Sequence, residues 1–269
     1  MIKTNKLLTK ATAVSKHAGR LISEWYQNSN YHVLRKSDAS PLTEADLASE
    51  TYIVSALSKT GIPVISEETG CAYPVRKDWN SFWLVDPLDG TKDFIERNGE
   101  FTVNVALIEH GSPVLGVIHA PAVGITYYAW KGNGAFCEKD GSVSRLPCIE
   151  PSDRLIATVS RQHLSAGTRE FLRMNGITEV EQRGSALKFG AVASGKATVY
   201  PRFEGSMEWD TAAGQVIVTE AGCRIFDLVT GTGPAYNKPS LVNNPFIVCG
   251  PQIERKNLSI PDINSSPLR

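Results

Sequence analysis

The chain has 269 residues, 42% of them hydrophobic and 21% charged, with 28 Lys+Arg against 28 Asp+Glu. That length allows one or two domains around a large buried core, and the composition is that of an ordinary globular enzyme. Balanced charge gives no overall electrostatic case for a nucleic-acid polymer or a membrane surface as partner.

The first predicted element is a helix. Leu7, Ala11, Val14, Ala18, Leu21 and Trp25 recur at spacings of three and four, which is one helix face, read here as core. Lys3, Lys6, Lys10 and Lys16 make the helix basic, so weak peripheral contact with a membrane is the alternative. No signal-peptide pattern is read, and no apolar run approaches the ~18 residues of a membrane span. A loop over 37–41 leads to a helix over 46–58 that ends at Gly61. A strand over 62–65, a polar loop and a strand ending at Asp86 follow. Strands over 101–108 and 114–119 flank the His110-Gly111 turn, and a hairpin joins 126–130 to 135–138. The second half alternates: strand 155–160, helix 166–175, strand 178–182, helix 185–194, strand 197–200, a helix opened by Asp210, and strand 223–226. Such alternation favours a sheet covered by helices. A boundary near 148–155 divides the chain into 1–150, 151–250 and a polar tail over 251–269 whose last stretch is loose.

Five cysteines, Cys71, Cys137, Cys148, Cys223 and Cys249, are scattered, with no C-x-x-C pair. They indicate neither a disulfide framework nor a structural zinc site, and fit a reducing, cytoplasmic compartment. Among the histidines, His17, His32 and His110 read as exposed, His119 as a core histidine ending a strand, and His163 as part of a polar loop.

The densest chemistry lies in WLVDPLDGTKDF at 83–94. Asp86 and Asp89 close an apolar run around a proline, and the Leu88 carbonyl between them adds a third hard oxygen. Mg²⁺ takes such ligands and completes its octahedron with phosphate and water. Gly90 permits close backbone approach, so its N–H and that of Thr91 can face an anion. An Asp-Pro turn is the competing explanation. Ser66-Glu67-Glu68 ends another short strand, where ligands of layered α/β proteins gather. Asp210 opens a helix and could serve as its N-cap, which does not exclude a metal on its other oxygen. Thr43-Glu44-Ala45-Asp46 has the form of a capping box. Bringing Asp46, Glu67, Asp86, Asp89 and Asp210 together would raise their pKa values unless cations intervene.

DPLDGT at 86–91, WDTAAG at 209–214 and SEE at 66–68 resemble the signatures of the lithium-sensitive, magnesium-dependent phosphatases of the inositol monophosphatase superfamily. KDF at 92–94, RNGEFTVN at 97–104, LTEAD at 42–46, SRQH at 160–163, GSALKF at 184–189 and YPR at 200–202 resemble, in the same order, the CysQ-type 3′(2′),5′-bisphosphate nucleotidases within it. The resemblance spans roughly 35–250 and implies an αβαβα sandwich with two sheets and the active site between the halves. It implies two or three Mg²⁺ per site. Glu67, Asp86 and the Leu88 carbonyl would hold the first; Asp86, Asp89 and Asp210 the second; Asp46 would reach a third or orient water. Glu67 and Thr91 would activate the attacking water.

The implied substrate is a small nucleotide, adenosine 3′,5′-bisphosphate (PAP), or its sulfated analogue PAPS, with a role in sulfate assimilation. Gly90, Thr91, Lys92, Arg161, His163, Ser185, Lys188, Arg202 and Asp210 are the candidate substrate contacts. Ser185 would act at a helix start, where free N–H groups favour an anion. Solvated surface charge is the alternative for the cations. Rival functions are a sister phosphatase acting on inositol phosphates or fructose-1,6-bisphosphate, and a non-catalytic sensor. The expected assembly is a monomer or homodimer.

Overall fold

The computed structural model describes residues 2–28, 32–35, 41–148, 152–162 and 164–263. Its first half runs α1 (Ile2–Asn28), β1 (Val33–Arg35), β2 (Pro41–Thr43), α2 (Glu44–Ser58), β3 (Val64–Ser66), α3 (Tyr73–Arg76), β4 (Ser81–Asp89), α4 (Thr91–Ile95), β5 (Thr102–Glu109), β6 (Ser112–Ala120), β7 (Ile125–Trp130), β8 (Ala135–Lys139) and β9 (Ser142–Arg145). The second half runs β10 (Ile156–Ser160), α5 (Ala166–Met174), β11 (Glu179–Arg183), α6 (Leu187–Ala193), β12 (Val199–Arg202), α7 (Glu208–Glu220), β13 (Arg224–Asp227) and β14 (Phe246–Cys249).

Strands β3 to β9 form a seven-stranded sheet in chain order, parallel only at β3–β4, which is the meander expected from the sequence. The second sheet has the order β11-β10-β12-β14-β13. Its first three strands are parallel, and β14 pairs antiparallel with both neighbours.

Five layers result. Helices α1 and α2 cover one face of the large sheet; α6 and α7 fill the space between the sheets; α5 covers the outer face of the small one. Strand β4 shows why its sequence is apolar throughout. Trp83 and Val85 point to α1 and α2, while Phe82 and Leu84 point to α6 and α7. A strand buried on both faces has no polar side to alternate with. The apolar stripe of α1 is likewise turned inward: Leu8, Ala11, Val14, Ala18 and Ile22 are buried against the large sheet. Gly116 of β6 lets α7 lie unusually close, since a Cβ there would come 2.5 Å from the Ala213 carbonyl oxygen.

Several expectations need correction. The helix expected over 185–194 begins at Leu187, and Ser185 precedes it in the left-handed region at φ 53°. Strands β9 and β14 had no sequence counterpart; β9 is exposed and short, and β14 is a four-residue buried run. The polar tail contributes to the core in its first part, where Ile253 and Leu258 are buried beside Phe171 of α5. Most of the 37–41 loop, the 149–151 part of the boundary and residues 264–269 lie outside the described residues. No described helix is long and apolar enough to cross a membrane.

His119 is the core histidine expected at the end of β6. Its ring lies against Gly19 of α1 and its Nδ1 is 2.9 Å from Thr126 Oγ1. Burial, then the nearby Lys16, lowers its pKa from 6.5 to about 4. An unfolded chain protonates this ring near 6.5 and the folded one near 4, so the unfolded state binds the extra proton in between. Stability from this group is therefore present above about pH 6.5 and is lost as pH falls toward 4. Between pH 8 and pH 5 the loss should be about 2 kcal/mol. Urea unfolding of the parent and of His119→Gln at both pH values checks this: the variant should lose less stability on acidification, and equal losses would refute the assignment.

Candidate active site and metal centre

Asp86 and Asp89 are three residues apart, and side chains three apart on a regular strand point to opposite faces. A bulge removes that difference. Asp86 pairs with Asn104 and Asp89 with Thr102, so Pro87 and Leu88 on β4 stand opposite the single residue Val103 on β5. One extra residue brings Asp89 onto the face of Asp86. Pro87 suits the break because it has no N–H to leave unpaired; its carbonyl accepts from Ser49 Oγ at 2.7 Å. The Leu88 N–H donates to Asp86 Oδ1 at 3.1 Å. Gly90 then turns the chain into α4 at φ 89°, and a Cβ there would come 3.2 Å from Ser185 Cβ and 3.3 Å from the Glu100 carbonyl.

Asp210 approaches from the second half. It is the third residue of α7, not its N-cap: Met207 is the cap, and its N–H donates to Asp210 Oδ2 at 2.7 Å. Asn243 Nδ2 donates to the Met207 carbonyl at 2.6 Å and fixes this turn. The result is three carboxylates, Asp86, Asp89 and Asp210, each with an oxygen within 4.8 Å of the others. Burial, then the charges of Glu67, Asp89 and Asp210, pushes the Asp86 carboxyl well above the usual range. Burial, then Asp89, pushes Asp210 up to about 8. The donor set is all oxygen, anionic and short of positive charge, which fits a hard divalent cation.

Asp46 and Thr91 form a second feature. The capping box at α2 is present: Asp46 Oδ2 accepts from Thr43 N–H at 2.7 Å and from Thr43 Oγ1 at 2.5 Å. Its Oδ1 accepts from Thr91 Oγ1 at 3.1 Å, and the Leu88 carbonyl lies 3.3 Å from the same hydroxyl. Asp46 is buried, so its cap role and its contact with Thr91 are served by different oxygens.

The site opens onto a cavity of about 320 Å³, lined by Glu67, Asp89 and Asp210, by Gly90, Thr91 and Lys92, and by Ser185, Lys188 and Arg202, with the buried Asp86 and Asp46 behind that lining. Lys188 is buried, its Nζ donating to the carbonyls of Ser185 at 2.6 Å and Arg183 at 3.2 Å. Burial, then the charge of Arg202, lowers its pKa to about 8. Arg202 Nη2 donates to the Gly205 carbonyl at 3.1 Å, while its buried Nε has no acceptor among the described residues.

Two candidates sit differently from expectation. Arg161 is exposed and held by Glu100, Nε to Oε2 at 2.8 Å, and is not part of the cavity lining; Ser160 and Gln162 on either side of it are. His163 lies outside the described residues. Thr102, Asn104, Asp93 and Gln162 belong to the site's surroundings without having been singled out. The first two lie in the RNGEFTVN segment noted in the sequence, but their place opposite the acidic pair came only with the antiparallel register. Asp93 and Gln162 both line the cavity, 3.4 Å apart.

The five-layer fold and the carboxylates gathered between its halves define a class, and the chain belongs to it: residues 4–265 match the inositol monophosphatase family. Among relatives, it is 41% identical over 245 residues to the 3′(2′),5′-bisphosphate nucleotidase CysQ of Salmonella typhimurium, covering 90% of this chain and 99% of the relative. It is 39% identical over 249 residues to the CysQ nucleotidase of Buchnera aphidicola, covering 90% and 92%. CysQ from Bacteroides thetaiotaomicron, solved as a bacterial member of the inositol monophosphatase family, superposes with a TM-score of 0.82 at 38% identity, covering 93% of this chain and 98% of that one. The IMPase of Thermotoga maritima gives 0.76 at 26% identity, covering 94% of each.

The cluster predicts opposite effects of one substitution on stability and on metal response. In metal-free protein, Asp86→Asn relieves carboxylate repulsion and should raise Tm by about 2–4 °C, the shift of ~1 kcal/mol at this size. Added Mg²⁺ should raise Tm of the parent and leave the variant nearly unmoved. Thermal scans in EDTA and after Mg²⁺ addition measure both; an equal Mg²⁺ response would show that Asp86 is not a ligand.

Proposed function

We propose that this chain is a magnesium-dependent 3′(2′),5′-bisphosphate nucleotidase that releases the 3′-phosphate of PAP and leaves 5′-AMP. The observation that carries this reading is the shared cavity. Its carboxylates suit cations at a phosphate that is cleaved, and the buried Lys188 and half-buried Arg202 suit a phosphate that is not. A monophosphate of inositol would leave the buried Lys188 ammonium without a second phosphate to meet, at a desolvation cost. The relatives named as nucleotidases support the same choice. PAPS carries the same 3′-phosphate and fits the reading equally, as does a role in sulfate assimilation. All five thiols are free, which supports a cytoplasmic setting.

In this assignment Glu67, Asp86 and the Leu88 carbonyl would hold one Mg²⁺ and Asp86, Asp89 and Asp210 another, with Asp46 near a third or orienting water. Bound there, the ions supply a more acidic water and offset the charge of the phosphate. The protein's own part is positional. Thr91 donates its proton to Asp46, so its oxygen is left as an acceptor facing the cavity. A water hydrogen-bonded to Thr91 and Glu67 is held for attack on phosphorus, and its proton passes toward these groups as the bond to O3′ breaks. The leaving O3′ takes a proton, giving the nucleoside 5′-phosphate and inorganic phosphate. Such reactions depend mainly on alignment and charge.

Two measurements follow from this assignment. Thr91→Ala should lower kcat by ~10²–10⁴ with KM nearly kept, and Thr91→Ser should retain much more activity. Equal losses would show that the hydroxyl is not the acting group. The second is a panel of PAP, AMP, inositol-1-phosphate and fructose-1,6-bisphosphate, in which PAP should be clearly preferred and 5′-AMP should be its product. Lys188→Ala should cut kcat/KM for PAP roughly 10- to 100-fold, the worth of a charge-assisted contact, with less effect on inositol-1-phosphate. Comparable turnover of inositol-1-phosphate by the parent would favour the sister-phosphatase reading.

A further inference from the structure

Ser185 is a residue whose backbone and side chain ask for different things. Its φ of 53° lies in the left-handed region that favours glycine, and Gly184 stands beside it. The side chain accounts for the serine. Ser185 Oγ donates to Asp89 Oδ2 at 2.7 Å and lies 3.0 Å from the Asp89 carbonyl oxygen. Thr102 Oγ1 is 2.6 Å from Ser185 Oγ, and Asn104 Nδ2 donates to Asp89 Oδ2 at 3.2 Å. Each hydroxyl has one proton, and the assignment that uses the shortest contacts runs Thr102 to Ser185 to Asp89. Two donors on one oxygen hold the carboxylate in one orientation and leave Oδ1 to a cation. The Ser185 carbonyl meanwhile accepts from Lys188 Nζ at 2.6 Å.

We propose that Ser185, backed by Thr102, is a positioning residue that aims Asp89 for cation binding and ties it to the turn leading into α6, which carries Lys188. The inference rests on Asp89 being a metal ligand, as assigned above. It gives Ser185 a role different from an anion contact at a helix start, for which α6, with seven residues beginning at Leu187, offers no place. It also links the two parts of the cavity. An anion that draws Lys188 toward it acts on the residue that orients Asp89, so anion binding and cation binding are coupled, and the coupling is reciprocal.

The test is Mn²⁺ binding to the metal-stripped, full-length protein, followed by electron paramagnetic resonance without substrate, alongside kcat and KM for PAP. Ser185→Gly removes the hydroxyl and suits the left-handed backbone, so the fold is not put at risk. It should weaken Mn²⁺ binding about 10-fold or more, the usual effect of losing a group that orients a metal ligand. It should lower kcat while KM stays within about twofold. Thr102→Val should shift Mn²⁺ affinity in the same direction, and Thr102→Ser, which keeps the hydroxyl, should restore it. Added 5′-AMP should tighten Mn²⁺ binding to the parent and do so less in Ser185→Gly. Asp89→Asn is the reference for the metal assignment. If it loses Mn²⁺ while Ser185→Gly binds like the parent and only raises KM, Ser185 is a substrate contact and this inference fails alone. If Asp89→Asn also binds like the parent, the metal role of Asp89 fails and takes the inference with it.

Discussion

Everything at the site depends on holding carboxylates closer together than they would choose to be. The bulge at Pro87 and Leu88 puts Asp86 and Asp89 on one face, and α7 brings Asp210 to meet them. In water three such groups would drift apart or take up protons. Here Asp86 is buried at the end of a strand covered on both faces, so it cannot drift away, and its affinity for a proton or a cation rises instead. The strain is electrostatic, and a cation relieves it. Holding the carboxylates together costs stability in the metal-free protein and favours a cation that relieves the repulsion.

The layers determine how far apart these groups stand. Helix α7 carries Asp210 in its first turn and continues between the two sheets, with its small Ala212, Ala213 and Gly214 packed in the central core region. Because Gly116 admits the backbone of Ala213 at close range, the helix axis is set by contact with β6 and not by any ligand. Glu208, one turn from the site, is fully buried and held by Lys238 Nζ at 2.7 Å and the Asn237 N–H at 2.7 Å. These anchors position the start of α7 before any cation arrives, so little reorganisation remains for binding to drive.

The cations of the cavity have a different logic. Lys188 is kept in place by carbonyls and lies over the ring of Tyr200 at 5.5 Å, with no carboxylate bonded to it among the described residues. Arg161, by contrast, is neutralised by Glu100, which also accepts from the Gly184 N–H at 2.8 Å. The first arrangement leaves a charge available to a ligand; the second uses its charge to fasten one loop to another. Charge type alone does not separate these two roles.

The sequence by itself determined much of this protein. Local periodicity revealed α1, α2 and the meander, because burial on one or both faces imposes a pattern on neighbouring residues. The acidic residues stood out because strand ends that finish in paired carboxylates have few structural uses, and their order along the chain matched a known family. Capping at Thr43 and Asp46 was legible for the same local reason. Other features depended on partners distant in sequence. The start of α6 at Leu187 followed from the tie between Ser185 and Asp89, 96 residues apart. The roles of Thr102 and Asn104 required the register of β5 on a bulged β4. Strand β14 was a short apolar run with no periodicity to read, and became a strand because β12 and β13 flank it. The tail was polar in composition but carried Ile253 and Leu258 into a core formed with α5. Sequence determines what each segment can bury or bind; only tertiary structure decides which distant group it meets, because those contacts are made across space between residues that share no local pattern.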